Sequence, residues 1–143
     1  MKKLAFILAA FALLFPSCDS GNIIGGRYYG TFHNITNDMR EAGSLSFTRQ
    51  KTGNSTSFLM NDLIPMTQDS ENHYSATAGD QLLKDFLKTV PAIDSIHVCD
   101  SAETIILLDA EAEFKSNSVK ANLHFTTSND SANVEVEFIG IFE

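Results

Sequence analysis

The stretch that most narrows the choice of fold is Thr104–Phe142. Ile106, Leu108, Ala110, Ala112 and Phe114 alternate with Leu107, Asp109, Glu111, Glu113 and Lys115. After Ser116-Asn117, Val119, Ala121, Leu123 and Phe125 alternate with Lys120, Asn122, His124 and Thr126; after Ser128–Ser131, Val134, Val136 and Phe138 alternate with Asn133, Glu135 and Glu137. A period of two places alternate side chains on opposite faces of a strand, so this pattern predicts three antiparallel strands with one dry and one wet face. A two-residue loop at Ser116-Asn117 sets Phe114 opposite Val119, Glu113 opposite Lys120, Ala112 opposite Ala121 and Asp109 opposite His124. A four-residue loop at Ser128–Ser131 sets Phe125 opposite Val134, Leu123 opposite Val136 and His124 opposite Glu135. Apolar residues then meet apolar ones and opposite charges meet, matches that a one-residue slip would break.

The preceding chain reads mostly as shorter strands. Arg27–Ile35 is rich in aromatic and β-branched residues, Asn37-Asp38 is a turn signal, and Ser44–Gln50 alternates about Leu45 and Phe47. Lys51–Ser55 is a Gly-containing loop. Thr56–Ile64 reads as one strand that Pro65 either closes or puts at an edge, Gln68–Asn72 as a polar turn, and His73–Ala78 as a short strand. Asp80–Val90 breaks the pattern: Leu82, Leu83, Phe86, Leu87 and Val90 recur at helical spacing, with Lys84, Asp85 and Lys88 on the other side. Asp80 suits the helix start and Pro91 its end. Ser95–Cys99 reads as a short strand with Ile96 and Val98 on one face. These elements predict a mainly β fold, an antiparallel β-barrel or two-sheet sandwich of seven to eight strands with one amphipathic helix. The alternative is an open α+β sheet with the helix on one face.

The first residues address the question of location. Lys2 and Lys3 precede an apolar run from Leu4 to Phe15, and Pro16-Ser17-Cys18 ends it. A basic start, an apolar core and a small residue before a cut have the layout of a secretory signal. The run is about 12 residues, short of the roughly 20 that span a bilayer. Residues 1–17 are therefore expected to be removed, residues 18–26 to form a short polar, Gly-rich tether, and residues 27–143 to fold as one domain. Taking Lys2 and Lys3 from the ten basic residues leaves eight against 18 acidic, a charge of −10. That balance argues against nucleic acid and against adhesion to anionic headgroups by charge. It permits a cationic partner.

A cysteine directly after the cut resembles the lipobox of bacterial lipoproteins, with Phe15 and Pro16 at positions where the usual box has Leu and a small residue. The resemblance implies a diacylglycerol on Cys18. Gly26-Arg27-Tyr28-Tyr29-Gly30-Thr31 is similar to the opening strand of calycin-like lipoproteins of gut Bacteroidetes, and a signal ending in Ser-Cys-Asp is similar to lipoproteins of that group. What this implies is an envelope lipoprotein, anchored at the outer membrane through its lipid alone, with a calycin-like barrel. Lipid on Cys18 leaves Cys99 without a partner in the chain, as a buried small hydrophobe. Without lipid, Cys18 and Cys99 could pair in an oxidising compartment. Asp94-Ser95-Ile96, Asp100-Ser101-Ala102 and Asp130-Ser131-Ala132 are similar to the O-glycosylation acceptors of Bacteroidetes, which implies Ser95, Ser101 and Ser131 as acceptors. Asp-Ser pairs are also ordinary turn formers.

Catalytic and cofactor motifs are missing from the chain: it has no GxSxG, HExxH, P-loop, GxGxxG or Ser-x-x-Lys. No catalytic residue and no cofactor is expected. One constellation stands out, because the register sets Asp109, His124 and Glu135 side by side on the wet face. Two carboxylates and an imidazole could form a weak metal site, but the same groups suit a solvated charge network worth about 0–1 kcal/mol per pair. No metal is expected there. With Glu111, Glu113 and Glu137 the face becomes a broad acidic surface. The expected function is non-enzymatic recognition of a protein or other macromolecule in the envelope. The alternative is a small apolar ligand held inside a calycin-like barrel, in a cavity lined by Tyr28, Phe32, Phe47, Phe58 and the alanines.

Overall fold

The alternation of the C-terminal third becomes three strands in the register that its side chains require. Phe114 pairs with Val119, Glu113 with Lys120, Ala112 with Ala121 and Asp109 with His124. Phe125 pairs with Val134, Leu123 with Val136 and His124 with Glu135. The structure is a computed structural model and describes residues 24–53, 55–129 and 133–143. The residues expected to form the signal segment, Cys18, most of the expected tether and Ser131 lie outside the described residues. The described residues form eight strands: β1 Gly26–Asn34, β2 Met39–Thr52, β3 Ser55–Met60, β4 Ile64–Ser70, β5 His73–Gly79, β6 Ile105–Lys115, β7 Ser118–Thr127 and β8 Asn133–Phe142. Each pairs antiparallel with its neighbour in the chain, and β1 pairs with β8 to close a barrel. The barrel, one of the two architectures expected, is therefore the one adopted. Gly26, assigned from sequence to the tether, is the first residue of β1.

Two helices, where the sequence suggested one, lie between β5 and β6: α1 Asp80–Thr89 and α2 Ala92–Ser95. In α1 the apolar stripe faces inward as its spacing requires. Leu83, Phe86 and Val90 are buried, and Leu82 and Leu87 pack against the same core. On the solvent side Lys88 Nζ and Gln81 Nε2 both donate to Asp85 Oδ1, at 3.0 and 2.9 Å, holding the Asp85 carboxyl below its ordinary range. Pro91 ends α1 and leads directly into α2, whose Ala92 and Ile93 are buried. The helices cover the barrel end at which β5 finishes and β6 begins, called here the helix end. The chain enters β1 and leaves β8 at the opposite, entry end. Both the interior and the exterior follow from the strand alternation, with the core inside and charged residues outside. Among the described residues, no helix is long and apolar enough to cross a membrane.

The interior of the entry end is filled by aromatic rings. Tyr28, Phe47, Phe58, Tyr74 and Phe114 lie with neighbouring centroids 5.0–6.2 Å apart, most of them edge-on or tilted as ring quadrupoles prefer. Arg49 stands over the Phe58 ring at 5.9 Å. Towards the helix end Phe32 packs on Phe138 in a tilted pair with centroids 4.5 Å apart.

Four local expectations are corrected. Thr56–Ile64 is not one strand ended by Pro65. It breaks at Asn61 and Asp62, both in the left-handed region (φ 51° and 60°), where short polar side chains are tolerated. Leu63 N–H closes the turn on Met60 O at 3.2 Å, and Asn61 Oδ1 accepts Ser46 N–H at 2.8 Å. Pro65 lies within β4, opposite Leu59. Ser95–Cys99 is not a strand: Ile96 and Val98 are buried, but beneath the helix end and outside the sheet. Ile106 faces solvent, because a bulge between Ile105 and Leu107 interrupts the alternation there. Cys99 is half-buried rather than buried and has no disulfide partner among the described residues; its pKa is raised by burial and by Glu103, Asp94 and Asp100.

One buried polar residue ties the helix end to the barrel. Asn34, buried at the end of β1, donates from Nδ2 to Ile96 O at 3.0 Å, while its Oδ1 accepts Thr36 N–H at 3.0 Å. Asn37 Nδ2 donates to the same Ile96 carbonyl at 3.0 Å. The loop between β1 and β2 is thus fastened to the segment after α2.

Two predictions follow from this packing. Leu123→Ala, in the centre of β7, should cost about 2–5 kcal/mol in denaturant unfolding, whereas His124→Ala beside it on the wet face should cost under about 1 kcal/mol. Equal costs would contradict the register. Burial pushes the Tyr28 hydroxyl up to about 12. An unfolded tyrosine titrates near 10, so between these values the unfolded chain holds fewer protons and stability falls as pH rises, by about 2–3 kcal/mol in all. Tyr28→Phe should flatten that alkaline loss; an unchanged slope would show that Tyr28 is not its source.

Candidate functional site: the acidic outer face of β6–β8

The strand pairing sets the expected residues in rows across the outside of the barrel. Asp109, His124 and Glu135 form one row, and Glu111, Asn122 and Glu137 the next. The third row continues from Glu113 and Lys120 to Ile139 rather than to a third charge. Asp109, Glu111, Asn122, His124 and Glu135 line a shallow depression of about 390 Å³. The structure therefore brings Asp109, Glu111, His124 and Glu135 together. Glu137 flanks the depression, and Glu113 stands nearer the entry end, opposite His73 on β5.

Two interactions shape this face. Lys120, which faces Glu113 across the ladder, bonds diagonally to Glu137 at 3.0 Å. That hydrogen bond, with the Glu137 charge, raises the Lys120 pKa. Thr77 on β5 donates from Oγ1 to Asp109 Oδ1 at 2.8 Å, fixing one carboxylate oxygen. His124 Nδ1 lies 4.0 Å from Asp109 Oδ2, at the outer limit of an ion pair, with both side chains nearly half-exposed. Thr77 is the contact that sequence reading missed; its signal is the β5–β6 register, which sets it opposite Asp109.

Among the described residues, no group of three or more His, Cys, Asp or Glu side chains is placed to hold a metal ion. Asp109, His124 and Glu135 are adjacent without converging, because neighbouring side chains on one sheet face stand roughly parallel. The face can offer carboxylates to a cationic surface, with His124 at its middle. Ser95, at the end of α2, and Ser101, in the turn before β6, are both exposed. The rings expected to line an interior cavity, Tyr28, Phe32, Phe47 and Phe58, are fully buried and packed on other rings.

No protein-family model matches the chain, and no curated protein or solved structure matches it.

Glu137→Gln should lower the Lys120 titration midpoint, since it removes the bond and charge that raise it. NMR titration of the Lys120 side chain checks this; an unmoved midpoint would mean that Lys120 does not hold Glu137 in solution.

Proposed function

We propose that the protein is a lipid-anchored protein of the bacterial envelope that binds a basic macromolecular partner through the outer face of β6–β8, without covalent chemistry. The observation that carries this reading is the depression formed by Asp109, Glu111, Asn122, His124 and Glu135 on three strands of fixed register. Its carboxylates are held by the sheet rather than by a loop, so little ordering entropy is lost when they meet a partner. A mature charge of −10 would speed encounter with a basic surface, and salt would weaken that steering.

Three further observations favour the reading. The aromatic filling of the barrel favours an outer surface over an interior apolar ligand. Cys99 lies at the helix end, while the tether joins at the entry end. From Gly26 to Asn34 the strand rises roughly 26 Å, and the eight residue steps from Cys18 to Gly26 reach at most about 28 Å. A Cys18–Cys99 disulfide would need the tether almost fully stretched, which leaves Cys18 better suited to carry lipid. The closed barrel of chain-ordered strands is also in keeping with the calycin-like architecture that Gly26–Thr31 implied.

The test is a pull-down with the wild-type protein and with Glu111→Gln/Glu135→Gln/Glu137→Gln, at low and high salt. The expected result is a partner lost in the triple variant and weakened by salt. The same partner retained by both, together with a co-purifying apolar molecule, would overturn the reading in favour of an interior ligand. Intact mass and detergent partitioning test the anchor separately: an unmodified, water-soluble product would remove it.

A further inference from the structure

Along β8 the outer face changes character. Glu135 and Glu137 give way to Ile139 and Ile141, which are 53% and 60% exposed. Across the closing seam Ile141 pairs with Tyr29, itself 49% exposed. At the rim Phe142 lies over Gly26, where a Cβ would come within 2.4 Å of its ring, and remains 39% exposed. Tyr29, Ile139 and Ile141 form one apolar strip on the outer face running down to the entry end, where Phe142 turns inward at the rim onto the Tyr28 ring at 5.7 Å, and among the described residues nothing covers the strip.

Charge is divided along the same axis. Exposed Arg27, Arg49, Lys51, Lys115 and Lys120 stand at or near the entry end, where Asp69, Glu71, Glu113, Glu137 and Glu143 balance them. Arg40, Lys84 and Lys88 are the basic residues elsewhere toward the helix end, against Asp38, Glu41, Asp62, Asp94, Asp100 and Glu103 among others. The acidic excess of the chain is therefore concentrated away from the strip.

We propose that the strip of Tyr29, Ile139 and Ile141, with Phe142 at the rim below it, rests on the lipid bilayer that holds the anchor, so that the barrel stands with its entry end down and its helices outward. This rests on the anchor at Cys18 proposed above. The six residue steps from Cys18 to Ile24 reach at most about 20 Å. They keep the entry end beside the membrane, while the helix end stands farther off by a strand length of roughly 30 Å. Such tethering raises the effective concentration of the surface enough for weak contacts to matter. The residues suit the site: tyrosine places an apolar ring and a polar hydroxyl at the headgroup boundary, with aliphatic neighbours beside it. The near-neutral entry end can approach an anionic bilayer that would repel the acidic remainder. In this pose β8 carries Glu135 and Glu137 above the membrane, so the acidic face stays open to a partner.

The chain has no tryptophan, so a single introduced indole reports its own position. Tyr29→Trp and, at the helix end, the similarly exposed Ile106→Trp are made in the full-length protein. Each is reconstituted in vesicles of phosphatidylethanolamine and phosphatidylglycerol with brominated acyl chains. Intact mass first reports whether Cys18 carries lipid. If it does not, the chain from residue 18, with Cys99→Ser, is coupled through Cys18 to a maleimide phospholipid. Orientation is then read whether or not the native anchor exists. The expected result is a blue-shifted, bromine-quenched indole at position 29 and a solvent-like, unquenched one at position 106. Ile141→Trp supplies the same readout should Tyr29→Trp fail to fold. An unquenched indole at both strip positions, or quenching at position 106 equal to that at position 29, would overturn the proposal. So would a blue shift that grows with protein density without quenching, since a second copy of the chain would then cover the strip.

Discussion

Closure of the sheet between β1 and β8 is the constraint on which the other features depend. At this seam Gly30 faces Gly140, and each glycine is required by a near neighbour. A Cβ on Gly30 would lie 1.8 Å from Ile139 O, and one on Gly140 would meet the Phe138 ring at 2.6 Å and Tyr28 Cβ at 3.0 Å. Removing both side chains lets the first and last strands approach while Tyr28, Phe32 and Phe138 still point inward. Closure leaves neither terminal strand with an unpaired edge, which removes the usual route to edge-to-edge aggregation. It also makes a single interior whose volume the aromatic rings occupy.

With the interior filled and the edges paired, differences in chemistry are left to the outer surface and the two ends. The outer surface is uneven in a way that the strand directions explain. β8 begins at the acidic depression and finishes at the apolar strip, while the helices and most uncompensated carboxylates gather at the other end. One strand thus links the surface proposed to meet a partner with the surface proposed to meet the membrane. The half-buried Cys99 thiol, its pKa raised, sits at the helix end among acidic neighbours and is poorly suited to act as a nucleophile.

The parts of this structure that were legible in the sequence are those in which side-chain period and loop length gave the same answer. The β6–β7–β8 register is the clearest case, because charge pairs and apolar pairs both fail under a one-residue slip. The rows of the acidic face followed from it. The sequence was less legible where a break occurred inside an apolar run. Residues 56–64 read through Asn61-Asp62 because the flanking Leu59, Met60, Leu63 and Ile64 are all apolar, and the turn depends on a distant contact with Ser46. Ile96 and Val98 alternate like a strand, yet they fill the helix end, where Asn34 and Asn37 claim the Ile96 carbonyl. Ile106 has the right period and the wrong face, because one bulge resets the count. The tie that Asn34 makes to the helix end had no local signal, since the Ile96 carbonyl to which it donates lies about 60 residues away in the chain.

The seam itself can be observed directly. In an isotope-labelled sample, cross-strand NOEs between β1 and β8, over the pairs from Tyr29–Ile141 to His33–Glu137, report whether the sheet closes in solution. The account predicts that these NOEs are present and that the seam amides exchange as slowly as those between β6 and β7. Their absence, with rapid exchange along β1 and β8, would mean an open sheet, and would contradict both the filled interior and the placement of function on the outer surface.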